Sequence, residues 1–170
     1  MADLALATER LRLEPLKPSH ARALFEPMRD ERLYRYEAQR PPKSEAGLER
    51  RFERLAVGRD GSQLWFNWAV RGKDGPYVGL VQATVDGKSA VIGYDIFPAY
   101  WRQGYGKEAC SAVIERALRD LGVTLVKAIV DIENQASIAL LESLGFKRVW
   151  TGPSDDMPGH TDHRYERVLA

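Results

Sequence analysis

What the chain lacks narrows it first. It has one cysteine in 170 residues, Cys110, so no intrachain disulfide and no cysteine-based metal cluster can form. Nothing marks an oxidising compartment, and a cytoplasmic protein is expected. Neither sign of charge is in excess. Lys+Arg is 25 against Asp+Glu 24, which argues against a nucleic-acid partner or a membrane surface. A local basic patch stays open, because arginine is frequent between Arg29 and Arg59. No apolar run approaches membrane-spanning length. Residues 1–10, interrupted by Asp3 and Glu9, hold too short an apolar run for a signal peptide. Repeats, low-complexity tracts and long linkers are missing as well. What remains is a globular mix, 44% hydrophobic and 29% charged. Its length suits a single domain over residues 1–170 with one sizeable core.

Alternating polar and apolar residues over 10–14 predict a first strand. Ser19 is the expected N-cap of a helix reaching about Met28, with Ala21, Leu24, Phe25 and Met28 on one side. Residues 30–43, with Tyr34, Tyr36, Pro41 and Pro42, read as helix and loop. The spacing of Leu48, Phe52 and Leu55 predicts a second helix over 45–57, although Ser44 with Gly47 makes a poor capping box. Residues 58–61 read as a turn. Three consecutive antiparallel strands follow at 64–71, 77–85 and 89–97, joined by Gly72-Lys73-Asp74-Gly75 and by Asp86-Gly87. A long helix is expected over 104–121, ended by Gly122. A β-branched strand at 124–132, a helix at 134–144, a strand at 146–151 and a last strand at 161–169 complete the order. The fold class is α/β (α+β), a mixed and mostly antiparallel sheet of about seven strands with about four helices.

One junction stands out. Ile92-Gly93-Tyr94-Asp95-Ile96-Phe97-Pro98 runs straight into Ala99-Tyr100-Trp101-Arg102-Gln103-Gly104-Tyr105-Gly106-Lys107. A strand hands the chain to a short loop, and the loop opens a helix. The first N–H groups of a helix have no internal partner, and the helix dipole adds partial positive charge there. Such a start can hold a phosphate. Gly104 and Gly106 keep Cβ atoms out of its path, and Arg102 and Lys107 add charge. An ordinary tight turn is the competing reading. Gly-x-Gly alone is a weak signal, and neither a full dinucleotide fingerprint nor a Walker loop is present.

The junction resembles the cofactor motif of the Gcn5-related N-acetyltransferases, R/Q-x-x-G-x-G/A, at Gly104 and Gly106. Trp101 stands where that pattern has Arg or Gln. Tyr100, Trp101, Gly104, Tyr105, Glu108 and Ala109 are similar to the Y-W-x-x-G-Y-x-x-E-A run of the ribosomal-protein N-terminal acetyltransferase subgroup (RimJ/RimL-like). A second family element follows: Asn134-x-x-Ser137, then Leu141-Glu142-x-Leu144-Gly145-Phe146. The likeness covers residues 8–169. It implies a sheet splayed into a cleft between the fourth and fifth strands, with acetyl-CoA as cosubstrate. It places the backbone of Ile96 on the pantetheine arm and makes an N–H near Ile96 or Phe97 the oxyanion donor. The amides of Arg102, Gln103, Gly104, Tyr105, Gly106 and Lys107 fall on the pyrophosphate. Asn134 contacts the arm from the other side, and Ser137 reaches the thioester sulfur.

The implied chemistry is attack of an amine on a thioester carbonyl. An α-amino group, with a pKa of about 7.7–8.0, is partly neutral near pH 7, whereas a lysine amine near about 10.4 needs a base. Many family members place a Tyr where Leu141 stands. Leu141 cannot donate a proton, so the resemblance gives the acid role to Ser137, whose alternative is a hydroxyl bonded back to the helix backbone. Asp95 is the favoured general base over Asp131 and Glu133, and all three also read as solvated strand-end carboxylates. Tyr34 and Tyr36, in the segment that walls the acceptor side in the family, are candidate substrate contacts. Packing between helix and sheet is the other reading for both. Asp162 matches an acid of the subgroup at the acceptor pocket. His160 and His163 stand three apart, but no further ligand supports a metal. Arg50-Arg51-Phe52-Glu53-Arg54 reads as a solvated helix face or as a contact for an acidic substrate tail. The expected acceptor is a primary amine, a protein or peptide N-terminus ahead of a small molecule. The alternative class is a non-catalytic CoA-binding module. Monomer and homodimer are both compatible with the sequence.

Overall fold

A computed structural model describes residues 4–170. Met1, Ala2 and Asp3, the start of the stretch weighed as a leader, lie outside the described residues. The strands are β1 (Leu6–Ala7), β2 (Leu11–Pro15), β3 (Arg59–Asp60), β4 (Gln63–Gly72), β5 (Tyr77–Asp86), β6 (Ser89–Ile96), β7 (Leu125–Asp131), β8 (Lys147–Pro153) and β9 (Thr161–Val168). They form one sheet in the order β1-β2-β4-β5-β6-β7-β9-β8, with β3 attached to β4. The helices are α1 (Ala21–Met28), α2 (Glu45–Ala56), α3 (Tyr105–Ala112) and α4 (Gln135–Ser143). The expected α/β class holds, and β1 and β3 are additions of 2 residues each. Residues 58–61 are therefore not only a turn. Arg59 and Asp60 pair back onto Leu64 and Gln63 around Gly61, whose φ is 57°.

The sheet is antiparallel except at one seam. The α3 crossover returns the chain parallel to β6, as a helical connection must. There β6 and β7 pair only at Ser89–Val91 with Leu125–Lys127. Further along, β6 stays registered with β5 as far as Ile96, and β7 with β9 as far as Asp131. Between them opens the splay expected between the fourth and fifth long strands.

Alternation along the strands sorts residues onto two cores. Phe66, Trp68 and Val70 of β4 join Ile92, Val113, Ile114, Val126, Ala128 and Tyr165 on the α3/α4 face. Ala69, one step out of phase, joins Leu24, Met28, Leu48, Phe52 and Phe97 on the α1/α2 face. Trp68 is 1% exposed, stacks on Phe66, and donates its indole N–H to the Leu4 carbonyl at 2.8 Å. Burying one such side chain is worth roughly 1.5–3 kcal/mol.

Helix starts depart from expectation in instructive ways. Ser19 is not an N-cap. Pro18 opens a short 3-10 turn, and the His20 ring accepts the Lys17 N–H at 2.8 Å. Ser44, expected to cap poorly, accepts the Gly47 N–H at 3.0 Å. The long helix predicted over 104–121 is α3 followed by a π-helical segment, Val113–Leu118.

Candidate active site

The gap between β6 and β7 is lined first by backbone. Phe97 donates its N–H to the Val78 carbonyl at 2.9 Å, and the Lys88 carbonyl accepts from Leu125 at 3.2 Å. Backbone groups alternate sides along a strand, so Tyr94 and Ile96 turn theirs into the gap. This corrects the placing of Phe97. Its N–H belongs to the β5 pairing and its side chain, 2% exposed, belongs to the α1/α2 core. Ile96 therefore carries the gap-facing N–H. Its carbonyl accepts the Trp101 indole N–H at 2.6 Å. The residue that departs from the general motif thus covers the end of the strand.

The loop then coils into α3. Arg102 has φ 60°, and Gly104, the N-cap, has φ 79° and brings no capping side chain. The first bond of the helix is Glu108 N–H to the Gly104 carbonyl, at 3.1 Å. The N–H groups of Tyr105, Gly106 and Lys107 therefore precede the internal ladder and suit an anionic phosphate. Arg102, Gln103 and Lys107 are exposed around them.

Gly106 has a different job from the one expected. A Cβ there would lie 2.7 Å from Leu140 Cδ1 and 3.4 Å from Ile96 Cγ1. This glycine lets α3 pack against α4 and β6.

The sequence reading gave Arg10 no role at this loop. Arg10 donates to Glu108 at 2.7 Å and to the Gln103 carbonyl at 2.8 Å, and its guanidinium lies 4.4 Å from the Tyr105 ring centre. Burial pulls the Glu108 carboxyl up. Bonds from Thr8 and from the backbone and guanidinium of Arg10 outweigh burial and hold it below its ordinary range. Glu108 within the Tyr-Trp run was the available signal.

On the α3/α4 face two hydroxyls meet. Asn134 caps α4, its side-chain oxygen accepting the Ser137 N–H at 3.2 Å. Ser137 Oγ hydrogen-bonds the Tyr94 hydroxyl, which also lies 3.4 Å from the Ser137 carbonyl. The serine hydroxyl thus pairs across the gap with a phenol. Leu141 is 1% exposed and packs in the core. The phenol missing at that position arrives from β6 instead. Burial pushes the Tyr94 phenol well above its ordinary value, against the pull of Ser137, so it remains protonated. Cys110, fully buried, has its thiol pushed up by burial and is inert packing.

The α1/α2 face carries acids. Asp95 alternates with Tyr94 and meets the carboxyl of Glu37. Burial raises both, and Arg51 of α2 opposes the rise in each. Asp95 is thus not a lone solvated carboxylate. Tyr34, predicted as a substrate contact, is 9% exposed and donates to the Met28 carbonyl at 2.7 Å. Burial, then the Asp95 charge, pushes its phenol up to about 12. It is wall, the packing alternative. Tyr36 is half-buried, with Arg35 5.2 Å from its ring centre.

Across the gap, Asp131 ends β7 and pairs in register with Asp162, which is half-buried. Asp131 is 4% exposed and holds His160, while His163 bonds Thr151 at 2.6 Å. The two histidines thus serve different partners. Among the described residues no group of three or more potential metal ligands occurs. A hollow of about 620 Å³, lined by Glu14, Lys17, His20 and Tyr77 among others, includes none of the site residues above.

A sheet parted beside an uncapped helix start, with hydroxyls on one face and acids on the other, suits acyl transfer from a phosphate-bearing carrier. The family model described as "Acetyltransferase (GNAT) domain" matches residues 10–147, and the chain belongs to that family. It is a GNAT-fold acetyltransferase, and the family implies acetyl-CoA as cosubstrate. The uncharacterized N-acetyltransferase YoaA of Bacillus subtilis is 27% identical over 150 residues, covering 84% of this chain and 82% of that protein. A mycothiol acetyltransferase of Nocardiopsis dassonvillei is 35% identical over 109 residues, 61% of this chain and 32% of its own length. The structure of RimL, a ribosomal L7/L12 alpha-N-protein acetyltransferase, in complex with coenzyme A superposes with TM-score 0.85. It covers 96% of this chain and 97% of that one at 16% identity, a likeness of fold. Among the described residues no helix is long and apolar enough to cross a membrane.

Proposed function

We propose that the chain moves the acetyl group of acetyl-CoA to a primary amine, and that this amine is the N-terminus of a protein or peptide. The observation that carries the reading is the division at the splay. Tyr94 and Ser137 offer hydroxyls on one face, and Glu37 with Asp95 offers net negative charge on the other. An ammonium entering on the acid side meets an opposite charge. A thioester lying on the hydroxyl side meets donors for its departing sulfur. The pyrophosphate rests on the amides of residues 102–107, with Asn134 and the Ile96 backbone along the arm. The Ile96 N–H receives the oxyanion. The new C–N bond forms as the C–S bond breaks, and Ser137, backed by Tyr94, returns a proton to sulfur. Tyr36 and Asp162 rim the acceptor side.

An α-amino group suits this arrangement, since about 7.7–8.0 leaves a useful neutral fraction near pH 7. The Tyr100-Trp101 run, similar to the ribosomal-protein subgroup, and the shared fold with RimL support a peptide acceptor. The mycothiol acetyltransferase relative favours a second reading, a small-molecule amine. Thiol release from acetyl-CoA, followed with free peptides, N-blocked lysine peptides and small amines, separates the two. We expect the highest kcat/KM on free N-termini. A clear preference for small amines moves the acceptor to that class, and release that no amine accelerates overturns the transfer reading.

A further inference from the structure

We propose that His160, oriented by the buried carboxyl of Asp131, is the base that takes the acceptor's proton. The inference rests on the amine-acetyltransferase reading above.

Asp131 is nearly sealed from water, and a buried carboxylate needs hydrogen-bond donors. One oxygen, Oδ1, accepts the Glu133 N–H at 2.8 Å; the other, Oδ2, lies 2.6 Å from His160 Nδ1. A carboxylate only accepts, so Nδ1 carries the proton. In the neutral ring that leaves Nε2 with a free lone pair. A buried Asp holding a His by Nδ1 is the arrangement that presets an imidazole as a proton acceptor. The ring is held in place by its own loop. The His160 N–H donates to the Met157 carbonyl at 3.1 Å, its carbonyl accepts from Ser154 at 3.0 Å, and Ile132 ties to Thr161 at 3.0 Å. The side chain is 34% exposed, so its outer edge is open to solvent.

Its position follows from register. Ser89 lies opposite Leu125 and Val91 opposite Lys127. By the same offset Asp131 is the residue that corresponds to Asp95, on strands that have parted before reaching them. Val130 packs into the α3/α4 core and Tyr94 meets Ser137 on that face, so by alternation Asp131 and Asp95 both lie on the acid face. Asp95 already faces the Glu37 carboxyl, and in the amine reading it supplies the counter-charge that receives the ammonium. His160 removes the proton. The ammonium gives one proton to Nε2, and the freed amine attacks the thioester carbon. The C–S bond breaks, sulfur takes a proton from the Ser137 side, and the second nitrogen proton, lost as the amide forms, replaces it. The imidazolium discharges to solvent.

The test uses two acceptor peptides differing by one atom, a β-alanyl peptide and its aminooxyacetyl counterpart. The first nitrogen is protonated near neutral pH and needs a base, and the second is already neutral. We expect His160→Gln to lower turnover of the β-alanyl peptide on the order of 100-fold and to leave the aminooxy peptide within about twofold. Asp131→Asn should show the same split. Its carbonyl oxygen stays on the Glu133 N–H, so its NH2 faces Nδ1 and forces the proton onto Nε2. Nitrogen-15 NMR of the free protein reads this directly: the Nδ1-protonated ring in the wild type, the Nε2-protonated ring in Asp131→Asn. Equal losses on both peptides, or no loss on either, overturn the base. A split produced by Asp95→Asn but not by His160→Gln also overturns it, in favour of Asp95. A wild type that acetylates neither peptide brings down the amine reading itself.

Discussion

The two faces of the sheet at the splay carry opposite kinds of polar group. On the α3/α4 face the polar groups are hydroxyls, with Tyr94 bonded to Ser137 and kept protonated chiefly by burial, the Asp95 charge adding to the rise. On the α1/α2 face they are carboxyls and a histidine, Glu37 facing Asp95 and His160 bonded to Asp131. One strand supplies both, because Tyr94 and Asp95 are adjacent and a strand alternates. A proton donor and a charged acceptor thus sit a residue apart with the sheet between them, and neither neutralises the other. The difference teaches where a family that lacks its usual helix Tyr can keep one: a β6 phenol reaches Ser137 while Leu141 fills the core.

The hydroxyl face depends on the seat of α4, and this is where the comparison breaks most easily. Gly106→Val sets a Cβ 2.7 Å from Leu140, with further methyls beyond it. Such overpacking costs about 1–3 kcal/mol, and moving α4 carries Ser137 away from Tyr94. We expect kcat/KM to fall roughly 1,000-fold, with Tm lowered, while the acid face is untouched. Acetyl-CoA affinity from calorimetry and thermal melting check this; a folded variant with normal turnover would show that α4 does not need this seat.

Next in size are the hydroxyls themselves. Ser137→Ala and Tyr94→Phe should each lower kcat on the order of 10–100-fold, at the modest end for a general acid because a thiol leaves readily. Cofactor affinity should stay near normal in both. If the two hydroxyls act as one unit, the double variant loses no more than the worse single one. Additive losses would mean that each donates separately.

Part of this arrangement is legible in the sequence, and the reasons are local. The helix start shows in Gly104 and the strand before it, since a positive φ and an uncapped turn leave residue-level marks. The seven long strands and four helices show in their periods. What stays hidden is made by distant pairing. Asp131 and His160 meet because β7 pairs with β9, and no motif spacing joins them. Glu37 reaches Asp95 from a loop that has no period. Tyr94 reads as one more strand aromatic until α4 is placed beside it. The π-helical turns at Val113–Leu118 leave the hydrophobic pattern nearly unchanged over so short a stretch. Gly106 was legible as a residue but misread in purpose, because its neighbour Leu140 comes from another helix.

On the acid face the effects should appear in acceptor binding and then in stability, and they should be smaller. Asp95→Asn removes the net charge of the pair, so KM for the amine should rise about tenfold, a difference of about 1.4 kcal/mol, with kcat changed less. A loss confined to kcat would instead put Asp95 in the proton transfer.

Glu37→Gln gives the smallest and most diagnostic effect. Both carboxyls of the pair are raised by burial, so the fold prefers the protonated form. A raised folded-state pKa gives stability that is full below the ordinary carboxylate range and is lost as pH rises through the folded value. Glutamine keeps a donor toward Asp95 and removes the titration. From about pH 6 to about pH 9 the wild type should therefore lose a few degrees of Tm more than Glu37→Gln does. Parallel melting curves across that range would mean that the two carboxyls do not titrate as a pair in the folded chain. The acid face would then be two independent carboxylates, and its contrast with the hydroxyl face would rest on Asp131 and His160 alone.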